Sequence, residues 1–199
     1  VQKYGMKKTL IILVLLFSSS VLADDISDFQ IEGMSVGDSL LDYFSEEEIN
    51  DNVMHHYFKY KLDKKFMTVE FSRKPYLDKK LYPLSYYDIL QVNIKPNDKK
   101  YKIYSIYGII VFEDISKCYV KQKEIDKELS LLFKDTQRID EGTWKHIADA
   151  SNKSTVARIS YNLVTEDYIH ISCFDWSEET LKFDHLRIGI VTKEFSSWL

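Results

Sequence analysis

One long amphipathic helix stands between two groups of strand-like segments, and this order constrains the fold more than any other feature of the sequence. Either Asp114 or Ser116 provides the N-cap of this helix. Core-type side chains then recur at heptad-like spacing, while charged side chains occupy the opposite surface. This stripe consists of Cys118, Gln122, Ile125, Leu129 and Leu132, and is widened by Tyr119 and Phe133. The pattern predicts a helix that packs on one face of a sheet.

The segments before this helix show the two-residue period of β-strands. Alternation in FMTVEFS (66–72) and YYDILQVNIK (86–95) predicts one strand in each. YKIYSIYGIIVF (101–112) is apolar on both faces and therefore predicts a central strand. The turn residues of KPNDKK (95–100) join the last two strands, so we expect a β-hairpin over 86–112.

The segments after the helix predict a meander of three strands. Residues 135–154 are polar and read as a loop. VARISYNLV (156–164), YIHISCF (168–174) and HLRIGIVT (185–192) then follow, and the last of them ends the predicted sheet. The whole pattern indicates an α+β fold, with an antiparallel sheet of about five strands and one long helix packed on one face.

The N-terminal part of this domain, residues 24–60, is acidic and helical in pattern. Asp38 is suited to cap a short helix over 39–44. Ser45 is suited to cap a second one, because Glu48 follows it at capping-box spacing. We therefore expect two short helices ahead of the sheet.

The first 23 residues read as a signal peptide with an upstream extension of five residues before Met6. Lys7 and Lys8 precede an uncharged apolar run over 10–17, and the segment closes at Ala23 with small residues. The alternatives are a retained anchor or a buried helix, but the apolar stretch is shorter than the roughly 20 residues that span a bilayer. Cleavage after residue 23 leaves a single α+β domain, 24–199, without a stable membrane anchor.

The export signal predicts a periplasmic location, with secretion as the alternative. The sequence carries 27 basic and 31 acidic residues. Three lysines lie in 1–23, so residues 24–199 have a net charge of 24 − 31 = −7. Nucleic-acid binding requires a basic face, and this charge argues against a nucleic-acid partner. The sequence contains no P-loop, dinucleotide fingerprint, nucleophile elbow or zinc-ligand spacing, so we predict no cofactor and no metal.

The two cysteines are the strongest candidate site. Cys118 lies on the apolar stripe of the long helix, and Cys173 shares a strand face with Ile169 and Ile171. If the helix packs on that face, the two thiols meet, and an exported protein permits a disulfide. Two reduced buried cysteines are the alternative. A Cys–His nucleophile is disfavoured, because His170 points to the opposite strand face from Cys173.

The segment SCFDWSEE (172–179) concentrates aromatic and acidic residues at a strand end. One interpretation makes Trp176 a core anchor that closes the end of the sheet. The other makes it part of a pocket rim together with Tyr168 and His170.

Two stretches of the sequence, IEGMSVGDSLLDYFSEEEI (31–49) and CFDWSEE (173–179), resemble small exported bacterial proteins with no assigned activity. This resemblance implies export and one compact domain, and it implies no chemistry. GMSVGDSL (33–40) is also similar to the strand-turn-helix entry of small outer-membrane assembly lipoproteins and of β-lactamase-inhibitor-like domains. The chain departs from these in lacking a lipidated cysteine and a Gly-x-Pro after the helix.

Two functional hypotheses follow from these patterns. The first is a non-catalytic periplasmic protein that binds another protein or an envelope component. The second is a small periplasmic hydrolase whose site is assembled from distant residues, such as Tyr168, His170 and Asp175.

Overall fold

Seven strands form a single antiparallel sheet in the computed structural model, which describes residues 26–58, 61–74, 80–133, 136–180 and 182–199. The strands are β1 (Met67–Ser72), β2 (Ile89–Ile94), β3 (Ser105–Val111), β4 (Gln137–Lys145), β5 (Thr155–Asn162), β6 (Tyr168–Asp175) and β7 (His185–Val191). Their order across the sheet is β1-β2-β3-β7-β6-β5-β4. The α+β class is confirmed, although the sheet has seven strands rather than about five. The predicted signal peptide, 1–23, lies outside the described residues.

Within these described ranges, three α-helices accompany the sheet: α1 (Glu46–Asp51), α2 (Ile115–Leu132) and α3 (Lys193–Ser196). Short 3-10 turns occupy Ile26–Asp28, Leu40–Asp42 and Glu178–Thr180. The predicted capping box is present, since the Ser45 hydroxyl accepts from the Glu48 amide at 3.2 Å and the Glu48 carboxylate accepts from the Ser45 amide at 3.1 Å. Asp114 caps α2, because its carboxylate accepts from the Ser116 amide at 2.9 Å. Across the described ranges, no helix combines the length and apolarity needed to cross a membrane.

The prediction that residues 185–192 end the sheet was wrong. β7 pairs with β6 on one side and with β3 on the other, so it lies at the centre of the sheet. Without the pairing of β3 with β7, the β1–β3 meander would have an unpaired edge at β3. The β4–β7 meander would have an unpaired edge at β7. Pairing these two edges satisfies the backbone groups of both strands.

The prediction that residues 135–154 form a loop was also wrong in part. Residues 137–145 form β4, an edge strand that pairs with β5 and carries a bulge between Asp140 and Gly142. Almost all of its side chains are exposed, because neither face of this strand is covered. A strand that buries neither face has no reason to alternate apolar and polar residues, so the pattern gave no strand signal.

The helix α2 covers one face of the sheet over β5, β6 and β7, as predicted. The Gln122 side-chain amide donates to the carbonyls of Ala157 and Ile171, each at 2.9 Å. Cys118 is bonded to Cys173, so the odd-numbered residues of β6 face the helix. Alternation along each strand, and the register between neighbouring strands, show which residues of the other strands also face the helix side. We call the side of the sheet opposite to α2 the polar face.

Candidate functional site

The polar face carries an unusual number of hydrogen-bonding and charged side chains for a face of a central sheet. Its polar members on these strands are Thr68, Glu70, Ser72, Gln91, Asn93, Ser105, Tyr107, Arg158, Ser160, Asn162, Tyr168, His170, Ser172, His185 and Arg187. Polar side chains in such positions require partners, because desolvating them without hydrogen bonds is costly. The two halves of the face meet this requirement in different ways.

The half over β1, β2 and β3 carries two neighbouring hydrogen-bonded sets, which we together call the amide ladder (Thr68, Asn93 and Ser105 in one set, Glu70 and Gln91 in the other). The Thr68 hydroxyl donates to Asn93 Oδ1 at 2.6 Å, and Asn93 Nδ2 donates to Ser105 Oγ at 2.7 Å. Gln91 Nε2 donates to Glu70 Oε2 at 2.7 Å and to the Tyr57 hydroxyl at 2.8 Å. All five members are buried. Their mutual hydrogen bonds therefore offset the cost of burial.

The half over β5, β6 and β7 centres on a row of three residues, which we call the arginine row (Arg158, Ser172 and Arg187). Ser172 pairs directly with Arg158 on β5 and with Arg187 on β7. Adjacent strands lie about 4.8 Å apart, so the two arginine Cα atoms are separated by about 10 Å with their side chains on the same face. Two positive charges thus flank one serine.

Arg187 is held by aromatic rings. Its guanidinium carbon lies 5.5 Å from the ring centre of Tyr107 and 5.0 Å from that of Phe174. Its Nε atom is buried without a hydrogen-bond partner, and no carboxylate of the described ranges forms an ion pair with it. Within the described residues, the contacts that stabilise the charge of Arg187 are therefore those with aromatic rings.

Arg158 has polar partners, but its charge is only weakly compensated. Its Nε donates to Ser172 Oγ at 2.9 Å, and its guanidinium carbon lies 5.4 Å from the Trp144 ring. The nearest acid, Glu141, approaches to 4.0 Å and also accepts a hydrogen bond from Ser160. A separation of 4.0 Å is too long for a charged hydrogen bond.

His170 lies next to the arginine row and is almost fully enclosed. Its Nδ1 is 2.9 Å from Ser172 Oγ. A Cβ atom added to Gly189 would lie 2.3 Å from His170 Nε2 and 2.6 Å from the Tyr107 ring, so only glycine allows this packing. Burial, together with the charges of Arg158 and Arg187, holds the pKa of His170 well below its usual value. This histidine is therefore neutral at physiological pH.

A second cluster of rings lies at the end of the sheet where β6 stops and β7 starts. Trp176 lies 4.3 Å from the His146 ring, Phe174 lies 4.6 Å from the His185 ring, and the Lys182 ammonium lies 3.9 Å above Trp176. Burial, and to a lesser degree Arg187, lowers the pKa of His185 to about 3. Burial and the charge of Lys182 also lower the pKa of His146.

Unpartnered nitrogen atoms concentrate in this region. Within the part of the chain that the structure describes, three buried side-chain polar atoms lack a hydrogen-bond partner: Trp176 Nε1, His185 Nε2 and Arg187 Nε. All three belong to residues in or next to the ring cluster around Phe174. Buried unpartnered groups are rare in native proteins, and each requires an explanation.

The predicted disulfide is confirmed. The Sγ atoms of Cys118 and Cys173 are 2.00 Å apart, and their Cα atoms are 6.0 Å apart. The bond ties α2 to β6 directly beneath the arginine row, because Ser172 precedes Cys173 in the strand.

The predicted pocket-rim residues share one face but do not meet. Tyr168 and His170 are neighbours, with ring centres 5.9 Å apart. Trp176 instead packs in the second ring cluster. Eight residues of extended chain separate Tyr168 from Trp176, which corresponds to roughly 26 Å.

The residues of the hydrolase hypothesis are not brought together either. Asp175 lies on the opposite strand face from Tyr168 and His170. The nearest arrangement to a nucleophile and base is the Ser172–His170 pair, but Ser172 is 0% exposed and accepts a hydrogen bond from Arg158. A substrate has no direct access to this hydroxyl.

Sequence reasoning did not find the arginine row. The chain has only four arginines, and two of them interrupt otherwise strand-like apolar segments, VARISYNLV and HLRIGIVT. An arginine within a strand pattern is a usable signal, since arginine is rarely buried without a partner. The described residues contain no group of three or more His, Cys, Asp or Glu side chains placed to hold a metal ion.

Comparisons with protein-family models, with curated proteins and with solved structures give no match to this chain. The resemblance to small exported bacterial proteins, and the local similarity to assembly lipoproteins and β-lactamase-inhibitor-like domains, therefore stay predictions.

Proposed function

We propose that this chain is a non-catalytic binding protein, exported to the periplasm, that recognises an envelope component or another protein through its polar face. The observation that carries the proposal is the arginine row, where Arg187 has no acidic partner among the described residues and Arg158 has only Glu141, at 4.0 Å. An uncompensated charge on a sheet face costs desolvation energy, and a bound ligand of opposite charge recovers part of that cost.

The rim of the polar face supports the same proposal. Trp144 is 36% exposed at the edge of this face, and Ile147 and Phe183 are 99% and 53% exposed in the segments at the same end of the sheet. Exposed apolar side chains close to a charged patch are typical of interaction surfaces.

The disulfide is compatible with the proposed export. Disulfides persist in oxidising compartments such as the periplasm and the extracellular space, and they are rare in the cytosol. Secretion beyond the periplasm is the alternative location, and the same bond is compatible with it.

The hydrolase alternative receives less support from the geometry. Its candidate base, His170, is enclosed and neutral, and Asp175 faces the other side of the sheet. Turnover of any substrate in an activity panel, lost in His170→Ala but retained in Lys123→Ala on the exposed surface of α2, would favour this alternative.

Site-specific photocrosslinking in cells of the source organism tests the proposed function. A benzoylphenylalanine at position 144 reports on the polar face, and the same residue at Lys123, which is exposed on α2, is the matched control. We expect a discrete crosslinked adduct from position 144 and none from position 123. Equal labelling from both positions, or none from either, would contradict the proposal.

A further inference from the structure

We propose that Arg158 and Arg187 together bind a phosphate group carried by the ligand of the polar face. This inference rests on the proposed function and specifies the chemistry of its ligand. The phosphate would sit above Ser172, between the two guanidinium groups.

The register of the sheet places the two arginines for a shared ligand. Ser172 is the pairing partner of both, so they stand two strands apart in one row. On the far side of Arg158, the row continues to Gly142 on β4. A glycine presents no side chain at that position, and the β4 side chains that do approach Arg158 are those of Trp144 and Glu141.

The charge of this region differs from that of the whole molecule. The sequence has a formal net charge of −4, yet Arg158, Arg187 and Lys182 lie in or beside the same patch, with Glu141 as the acid nearest to Arg158. The charges of Arg158 and Arg187 both lower the pKa of His170, because each disfavours the protonated ring. The two charges therefore share one local field, and that field favours an anion.

Both guanidinium groups are oriented before any ligand arrives. Tyr107 and Phe174 flank Arg187, while Ser172 and Trp144 position Arg158. An arginine that is already ordered loses less side-chain entropy on binding. Arg187 Nε is enclosed but the residue as a whole is only half-buried, so its terminal Nη groups are the donors that a ligand reaches.

The spacing favours phosphate over carboxylate. One guanidinium fork satisfies both oxygens of a planar carboxylate, so a carboxylate needs only one arginine. A tetrahedral phosphate has further oxygens and a second charge, and it accepts from two arginines that approach from different sides.

Calorimetric titration of the full, oxidised chain with inorganic phosphate at low ionic strength tests the inference. We expect saturable binding that weakens with added salt and exceeds the binding of acetate at equal ionic strength. Arg158→Met and Arg187→Met should each weaken phosphate binding by about tenfold or more, because each removes charged hydrogen bonds.

Arg138→Met is the matched control. Arg138 forms a two-point salt bridge with Asp126 of α2, with N–O distances of 2.7 and 2.8 Å, away from the polar face. Its replacement should leave phosphate affinity unchanged. Arg187→Lys serves as a second variant if Arg187→Met does not fold, and it should show intermediate affinity, because the charge remains while the planar fork is lost.

Two measurements distinguish a lipid headgroup from a soluble phosphate ester as the natural ligand. Binding to vesicles of phosphatidylglycerol in phosphatidylcholine, competed by inorganic phosphate, supports a lipid headgroup. Binding of inorganic phosphate without binding to vesicles supports a soluble phosphate ester. Absence of phosphate binding, tighter binding of acetate, or equal affinity in the wild type and in both arginine variants overturns the inference.

The failure of this inference is distinguishable from the failure of the proposed function. Crosslinking from position 144 that persists while phosphate does not bind would leave a binding protein without a phosphate site. Phosphate binding without any crosslinked adduct would retain the anion site and remove the support for a macromolecular partner.

Discussion

The amide ladder and the arginine row occupy the same face of one sheet, yet they solve the problem of buried polarity differently. In the ladder, every bond joins one protein group to another, as in the chain from Thr68 through Asn93 to Ser105. In the arginine row, the Arg187 guanidinium packs against aromatic rings, and its buried Nε atom has no hydrogen-bond partner. The bonds of the ladder specify a structure, whereas the incomplete network beside a half-buried cation is where we propose that a ligand binds.

The largest expected effect comes from the disulfide, which supports the arginine row from the opposite face. Replacing both cysteines, Cys118→Ala with Cys173→Ala, should lower the free energy of unfolding by roughly 4 kcal/mol, as the chain-entropy model gives for a loop of 55 residues. Denaturant unfolding measures this loss. Amide exchange should accelerate more in β6 than in β1 and β2, because the bond anchors β6 to α2.

Uniform acceleration of exchange across all seven strands would show that the two halves of the sheet open as one unit. In that case the amide ladder and the arginine row would not differ in local stability.

The second-largest loss of stability is expected from a substitution that interrupts the amide ladder. Asn93→Leu removes the acceptor of Thr68 and the donor to Ser105, so we expect a loss of about 1–3 kcal/mol of unfolding free energy. The triple variant with Thr68→Val and Ser105→Ala should recover part of this loss, because it also removes the two hydroxyl groups that Asn93→Leu leaves without their partner. Thermal and urea unfolding of the two variants provide the comparison.

A triple variant less stable than Asn93→Leu by the sum of the separate substitutions would contradict this view of the ladder. Additive losses would mean that the three side chains contribute independently rather than as one network.

An effect confined to acidic pH is expected from the titration of His185. Its folded pKa of about 3 lies below the ordinary value of 6.5, so the folded state binds fewer protons than the unfolded state between these values. The unfolding free energy therefore contains the full contribution of the buried, neutral His185 ring above pH 6.5, and it loses this contribution as the pH falls towards 3. His170 and His146, whose pKa values are also lowered, add to the same loss.

Nuclear magnetic resonance titration of the histidine ring protons checks this prediction. The pKa of His185 should rise modestly in Arg187→Met, because one of the charges that lowers it is removed, while burial continues to keep it low. A pKa of His185 near 6.5 in the wild-type protein would show that this ring is not desolvated.

The smallest effect is expected from Arg187 itself. Arg187→Met keeps the contact area with Tyr107 and Phe174 but removes a charge without an acidic partner, so the unfolding free energy should change by less than about 1 kcal/mol. Differential scanning calorimetry measures this change. A loss as large as that of Asn93→Leu would place Arg187 in the structural network and would remove the contrast between the two halves.

Local signals in the sequence determined a large part of the molecule. The stripe from Cys118 to Leu129 predicted α2, and the capping signals at Ser45 and at Asp114 or Ser116 predicted the starts of α1 and α2. Alternating or continuously apolar segments predicted all strands except β4. The pairing of Cys118 with Cys173 was also predictable, because each pattern assigns its cysteine to a core face. These features depend on neighbours within a few residues, which the chain order displays directly.

Tertiary structure alone decided the rest. Strand pairing is non-local, so nothing in the HLRIGIVT pattern indicated that β7 would join β3 and complete the centre of the sheet. The registers of β6 with β5 and with β7 set the positions beside Ser172, where Arg158 and Arg187, 187 − 158 = 29 residues apart in sequence, become neighbours on one face. The sequence determined which side chains alternate on each strand, and only the register between strands decided which charges meet.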